Sequence, residues 1–310
     1  MKKHKVIVIT GPTASGKTSL ALQTAQNIKD KTGKIVEIIS ADSRQVYKHI
    51  PITTAQPARE ELSRFRHHFV NTLELEEEFN AGEFGAQARI LIDKLFDEGK
   101  IPLVVGGSGL YVNSLVYGFF EIGSDDKQLA EKFKIMRDEI YKLKEEKGFP
   151  FLLDELKKYD PVTFARMKEV KERRVIRALE VFYVTGIPIS RHQSHKIDVN
   201  FDAEMYCIQI ERSELYERIN KRTDFMLNSG MIEEIKSLKD LGYNYKTHNS
   251  LNTVGAREIF DFLDGLITKE RMTELIKQNT RRFAKRQLTW FRRDENIKWI
   301  EKDSEIFGMH

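Results

Sequence analysis

Apolar residues recur along this chain with two periods. Short β-branched runs predict buried strands at Val6 to Ile9, Lys34 to Ser40, Ile101 to Val105 and Met205 to Ile210. Between them apolar residues return at helical spacing. Leu20, Leu22, Ala25 and Ile28 mark one helix, Phe84, Ala88, Leu91, Ile92 and Leu95 another, and Leu215, Ile219 and Met226 a third. Gly230 and Gly242 bracket a further helix, and Arg257 to Leu263 reads as one more. Strands alternating with helices predict an α/β fold around a parallel sheet. From Asp125 to Ser194 the texture changes and no strand-like run occurs. Leu129, Phe133, Met136, Ile140 and Leu143 lie on one helical face, Gly148-Phe149-Pro150 breaks it, Asp160-Pro161 opens a new helix, and Arg173 to Val184 forms another closed by Gly186. The expected organisation is a core of residues 1–122 and 197–310 carrying an all-helical insertion, 123–196.

The stretch Gly11-Pro12-Thr13-Ala14-Ser15-Gly16-Lys17-Thr18 fits G-x-x-x-x-G-K-[ST] between the first strand and the first helix. Glycines let backbone N–H groups turn inward as an anion nest, and the helix N-terminus adds positive charge. Lys17 is placed to reach terminal phosphates, and the Thr18 hydroxyl to hold a magnesium ion. The motif predicts a ligand carrying a diphosphate or triphosphate without naming it.

Other candidates follow strand ends. The second strand runs into Ser40-Ala41-Asp42-Ser43-Arg44-Gln45, where open α/β sheets place their chemistry. Asp42 can bind magnesium, act as a base, or cap the next segment. The third strand ends in Gly106-Gly107-Ser108-Gly109-Leu110-Tyr111, where a nucleotide-hydrolysing protein commonly has an aspartate. The glycines allow close approach to a ligand or make a tight strand-to-helix turn. Arg218 and Arg222, four apart on one helix, are placed to clamp an anion. His67 and His68 are adjacent and point different ways, which argues for structural roles over a shared metal.

Composition narrows the class. The 310 residues are 40% hydrophobic and 32% charged, with a net charge of only +4, so any nucleic-acid contact must come from local clustering. The chain holds one cysteine, Cys207, which excludes a disulfide framework and fits a reducing compartment. The apolar run Val6–Ile9 is too short for a signal peptide and no stretch reaches a membrane span, so a cytosolic protein without membrane contact is expected. Clustering does occur. Lys171, Arg173, Arg174 and Arg177 form a basic patch, which is also how a solvated face reads. Arg281, Arg282, Lys285, Arg286, Arg292 and Arg293 interleave with Phe283, Trp290 and Phe291. That composition suits a phosphate-tracking, base-stacking surface, or a helix that buries its aromatics.

Taken in order, Gly11–Thr18, Asp42-Ser43-Arg44-Gln45-Val46-Tyr47, Gly106–Tyr111, Arg177-Ala178-Leu179-Glu180-Val181 and Ala284–Arg292 resemble the tRNA dimethylallyltransferase family from about residue 5 to residue 293. The resemblance implies a P-loop NTPase-like core with a helical insertion. It implies transfer of a dimethylallyl group from dimethylallyl diphosphate to N6 of adenosine 37, beside the tRNA anticodon. By resemblance Thr13 to Thr18 hold the diphosphate with magnesium on Thr18, Lys17 and Arg222 stabilise the leaving group, and Asp42 is the general base. Asp42, Ser43, Arg44, Gln45, Ser108 and the run Arg173, Arg174, Val175, Ile176, Arg177 match segments that contact tRNA. Arg281, Arg282, Lys285 and Arg286 would grip its phosphates. A monomer is expected.

Four places depart from the family pattern. Gly-Thr-Ala-Lys-Pro is here Thr53-Thr54-Ala55-Gln56-Pro57, which changes a loop and removes a cation. The glycine-turn threonine is Ser108. An Asn-Asp pair is Val170-Lys171, which alters a helix cap, and Ile-Gly-Tyr-Lys is Val254-Gly255-Ala256-Arg257, which loses an aromatic. Two other classes compete with prenyl transfer. A small-molecule or nucleoside kinase shares the loop and the strand-end aspartate, and an RNA-binding protein could retain an idle loop.

Overall fold

The computed structural model describes residues 3–118, 127–192, 199–301 and 306. It divides into two units, residues 1–116 with 199–310, and residues 117–198. The expected boundaries at 122/123 and 196/197 fall outside the described residues, as do Asp125 and Ser194.

The first unit runs β1 His4–Thr10, α1 Lys17–Thr32, β2 Val36–Ser40, α2 Arg59–Arg64, β3 His67–His68, α3 Ala81–Asp97, β4 Ile101–Gly106 and α4 Gly109–Tyr117. The second unit carries α5 Lys127–Lys147, α6 Phe149–Tyr159, α7 Pro161–Arg166, α8 Glu172–Thr185 and α9 Ile189–His192. The first then resumes with β5 Phe201–Ile208, α10 Arg212–Asn228, α11 Met231–Asp240, α12 Ala256–Leu263, α13 Lys269–Phe291 and β6 Ile297–Ile300.

Among the described residues six strands form one sheet in the order β3-β2-β4-β1-β5-β6, and every pairing between them is parallel. The α/β parallel core expected from the alternating pattern is therefore what forms. All five residues of β2 are buried, as a strand covered on both faces requires. Two strands escaped the sequence pattern. β3 is only two histidines, paired with Ile38 and Ile39, and β6 pairs Ile297 to Ile300 with the end of β5.

Helix α1 begins after Gly16, whose φ of 96° is left-handed, and stops at Gly33, whose N–H donates to the Lys29 carbonyl. Ala21, Leu22 and Ala25 of α1 pack on Ile9, Ile38, Leu103 and Tyr206 of the sheet. A second cluster joins α11, α12 and α13 through Ile235, Ile259, Phe260 and Ile276 to Tyr47, Ile50 and Leu75. The second unit has its own core, in which Ile140 of α5 meets Leu152 and Leu156 of α6 and Val175, Ile176 and Leu179 of α8. Asp160 caps α7 by accepting from the Thr163 N–H at 3.0 Å. Lys171, at the N-cap of α8, makes no capping bond, consistent with loss of the Asn-Asp pair there.

Candidate active site

The carboxyl ends of β1, β4 and β2 are neighbours, and the chain leaves β1 to form β2 on the far side of β4. In such sheets this switch opens a crevice for ligand. Here a cavity of about 390 Å³ opens in the first unit, lined by Thr13, Lys17, Thr18, Asp42, Ser108 and Arg222 among others.

Gly11–Thr18 wraps the end of β1. Ala14 and Gly16 both have positive φ, 63° and 96°, which turns successive amides to one side. Lys17 Nζ donates to the Pro12 carbonyl at 2.7 Å, folding the lysine across its own loop. Burial pushes the Lys17 amine down to about 8, the Asp42 charge acting against that drop. Arg222 of α10 donates to the Thr13 hydroxyl at 3.2 Å, and burial lowers its pKa too. Two half-buried cations therefore face the loop, and among the described residues Asp42 is the carboxylate set against both, an arrangement that favours a polyanionic ligand. Arg218 does not join them. It donates to the Ser15 carbonyl at 3.3 Å and pairs with Glu214 at 2.6 Å, so the two-arginine clamp reduces to Arg222.

Asp42 sits in a tight turn after β2. Its Oδ1 accepts from the Arg44 N–H at 2.9 Å and the Gln45 N–H at 3.3 Å. The capping reading of Asp42 thus holds for one oxygen. Ser108 braces the turn: its Oγ accepts from the Ser43 N–H at 3.0 Å and its own N–H donates to the Ala41 carbonyl at 3.2 Å. The Gln45 amide donates to the Ala55 carbonyl at 2.9 Å and accepts from the Ser40 hydroxyl at 3.2 Å. Gln56, in place of the family's lysine, donates to the carbonyls of Gln45 and Tyr47 at 2.9 and 2.8 Å. The cation is lost, but the loop is fastened. Thr53, in place of glycine, has no positive φ, and its N–H donates to Glu234 at 2.8 Å.

The glycine turn after β4 serves packing against the protein itself. A Cβ on Gly106 would lie 2.1 Å from the Ala41 carbonyl oxygen, and one on Gly109 would lie 2.2 Å from the Trp290 ring. One on Gly107 would meet Gln287 at 2.5 Å. Of the two readings the sequence allowed, the tight turn accounts for these three glycines.

Helix α13 closes the cavity with Thr280, Phe283, Arg286 and Gln287. Phe291 is buried in the core and Trp290 packs on Gly109, so Phe283 alone of the three aromatics is exposed, at 38%. Arg286 lies over the Phe283 ring at 5.7 Å. Arg281 is tied to Asn220 at 2.7 Å, whereas Arg282 and Lys285 are exposed. In the second unit Arg173 and Arg174 are exposed on α8. Val175 and Ile176, carried into the RNA-contact run by resemblance, have side chains buried in the core of that unit, at 0% and 3% exposure. Arg177 pairs with buried Glu180 at 3.2 Å and covers the Phe133 ring.

Gln287 and His67 line the cavity although neither was placed in the site from sequence. Gln287 accepts from the Thr13 N–H at 2.9 Å and donates to the Gly107 carbonyl at 2.7 Å, joining the phosphate loop to the glycine turn. Its place inside the Ala284–Arg292 motif was visible, but its partners were not. His67 lines the cavity with Nδ1 on the Phe65 carbonyl at 2.8 Å, while His68 turns to Glu37 at 2.6 Å.

A family model described as IPP transferase matches residues 45–294. The chain is 39% identical to the tRNA dimethylallyltransferase of Natranaerobius thermophilus over 97% of its length and 87% of that protein. It is 40% identical to that of Acetivibrio thermocellus over 96% and 92%. A tRNA isopentenylpyrophosphate transferase structure from Bacillus halodurans superposes with TM-score 0.69 at 35% identity, covering 99% of this chain and 95% of that one. A eukaryotic dimethylallyltransferase acting on tRNA superposes with TM-score 0.77 at 28% identity, covering 99% and 76%. With the phosphate loop, the braced aspartate and the glycine turn meeting in one crevice, these matches establish that the chain belongs to the IPP transferase family.

Proposed function

We propose that this protein transfers the dimethylallyl group of dimethylallyl diphosphate to N6 of adenosine 37 in tRNA. The observation that carries the reading is one cavity lined both by a phosphate loop with two half-buried cations and by a carboxylate anchored through one oxygen. The C1–O bond of the allylic diphosphate breaks, its electron pair leaving on the diphosphate, while N6 forms the new bond to C1. Loop amides, Lys17 and Arg222 stabilise the leaving charge. The second oxygen of Asp42 orients N6 and takes its proton. The target base must leave the anticodon-loop stack, which costs less for a loop base than for a paired one.

Magnesium fits this site. Thr18 lines the cavity beside Asp42, and magnesium takes one or two protein oxygens together with substrate phosphates and water. Among the described residues no cluster of three His, Cys, Asp or Glu side chains would hold a metal alone. Thr18 would hold the ion, which would neutralise diphosphate charge. No described helix is long and apolar enough to cross a membrane; a monomer acting on tRNA in the cytosol is the reading we adopt. The kinase reading is not favoured, because the relatives are transferases of a prenyl group.

The test mixes the protein, magnesium, labelled dimethylallyl diphosphate and an anticodon stem-loop carrying adenosine at position 37. Label on that RNA, and none when guanosine replaces the adenosine, is expected. ATP consumption without label on RNA would return the kinase reading.

A further inference from the structure

We propose that Arg44 is a positioning residue for Asp42 and for the cavity wall that follows residues 249–251, and not an RNA contact. This rests on the function proposed above. Arg44 is placed among RNA-contacting residues by resemblance, yet its guanidinium is engaged within the protein. Nη1 donates to the Asn249 carbonyl at 2.6 Å and the Ser250 carbonyl at 3.4 Å, and Nη2 to the Asn252 carbonyl at 3.3 Å. These carbonyls belong to the 3₁₀ turn Asn249–Leu251 and its C-cap Asn252, an end where a cation is favoured, and the Asn249 carbonyl also accepts from the Asn252 N–H at 3.0 Å.

The backbone of the same residue holds the carboxylate. The Arg44 N–H is the shorter of the two bonds to Asp42 Oδ1, 2.9 Å against 3.3 Å from Gln45. One residue therefore joins the Asp42 turn to a segment about two hundred positions later (the separation is 205 residues). That segment continues into Asn252, Thr253, Val254 and Arg257, which line the same cavity as the turn. Ser250 seats the turn from behind by donating to the buried Leu75 carbonyl. The Arg44 guanidinium thus ties the backbone that holds the carboxylate to residues 249–252, so that a shift of one strains the other. A planar fork matched to several acceptors does this, and a lysine point charge does it only in part.

The test compares Arg44→Met and Arg44→Lys with the unaltered protein in three readouts. In prenyl transfer to the stem-loop at saturating substrates, Arg44→Met is expected to lower kcat about 100-fold, the scale of a misplaced catalytic group. Arg44→Lys should recover about tenfold of that loss. In stem-loop binding against salt, both variants should keep the affinity and the slope. In amide hydrogen exchange, Arg44→Met should speed exchange in residues 43–45 and 249–254, with unchanged Tm. Weaker RNA binding with a salt slope smaller by about one, and kcat intact, would make Arg44 a phosphate contact and overturn the proposal. A lowered Tm with no rescue by lysine would reduce it to general scaffolding. If the unaltered protein does not transfer the prenyl group, the function reading fails by itself. The exchange data still decide the strut, and unchanged exchange in both segments overturns it.

Discussion

At the scale of residues, chemistry and packing make separate demands on neighbours. Asp42 offers one oxygen to two backbone N–H groups and keeps the other for the cavity. Asp42→Asn preserves an oxygen for those N–H groups but loses the base. It is expected to lower kcat by at least about 100-fold while stem-loop affinity stays unchanged, measured by single-turnover label transfer and by filter binding. A parallel loss of affinity would instead make Asp42 a binding group. Gly109 shows the packing demand, since a methyl there would lie 2.2 Å from the Trp290 ring. Gly109→Ala should cost about 1–3 kcal/mol of stability in urea unfolding, the range for an overpacked core site. Pairing it with Trp290→Ala should give a double variant less destabilised than the sum of the two.

Elements differ in how plainly the sequence announces them. Helices α5 and α8 carry apolar residues every three or four positions, and strands β1, β2 and β4 are β-branched runs between turns, so these were legible. Strand β3 was not. Two histidines flanked by Arg66 and Phe69 have neither alternation nor length, and only pairing beside Ile38 and Ile39 makes them a strand. The site divides in the same way. The phosphate loop is legible because its function lies in local backbone conformation. Gln287 was not, because its meaning depends on the Thr13 amide 274 positions away. Carrying a whole run across by resemblance also has a limit that periodicity exposes: in Arg173–Arg177, Val175 and Ile176 fall on the core face of α8. Binding energy from that element must then come from its exposed cations. Arg173→Ala with Arg174→Ala is expected to weaken stem-loop binding, and to reduce the slope of log affinity against log salt by about 1.4–1.8, the release of two phosphate contacts. An unchanged slope would show α8 to be a solvated face.

Across the whole molecule, ionisation of one buried carboxylate ties sheet stability to pH. Glu37 on β2 accepts from His68 at 2.6 Å and from Lys100 at 2.8 Å. Burial alone would raise its pKa. The bonds from Lys100 and His68 outweigh that and hold it below the usual carboxylate range. A depressed folded-state pKa adds stability that is present above the unfolded value and is lost as pH falls through the folded one. The Tm advantage of the unaltered protein over Glu37→Gln should therefore be full near neutrality and shrink as pH drops below about 4.5. A constant difference across that window would mean that Glu37 acts through packing alone.

The position of β1 in the sheet has a temporal consequence. β1 pairs with β4 on one side and with β5 on the other, and β5 begins only at Phe201, after the entire second unit. A ribosome adding roughly 5–20 residues per second leaves an interval on the order of ten to forty seconds between the two strands. During it one edge of β1 is open, its N–H and C=O groups without the ladder they will later complete. The helical insertion, with a core of its own, has everything needed to fold within that interval. The last strands then close the sheet around a β1 that was made before the insertion. Nascent chains halted before Phe201 are thus the form of this protein most exposed to edge-to-edge aggregation, and the one most in need of a chaperone.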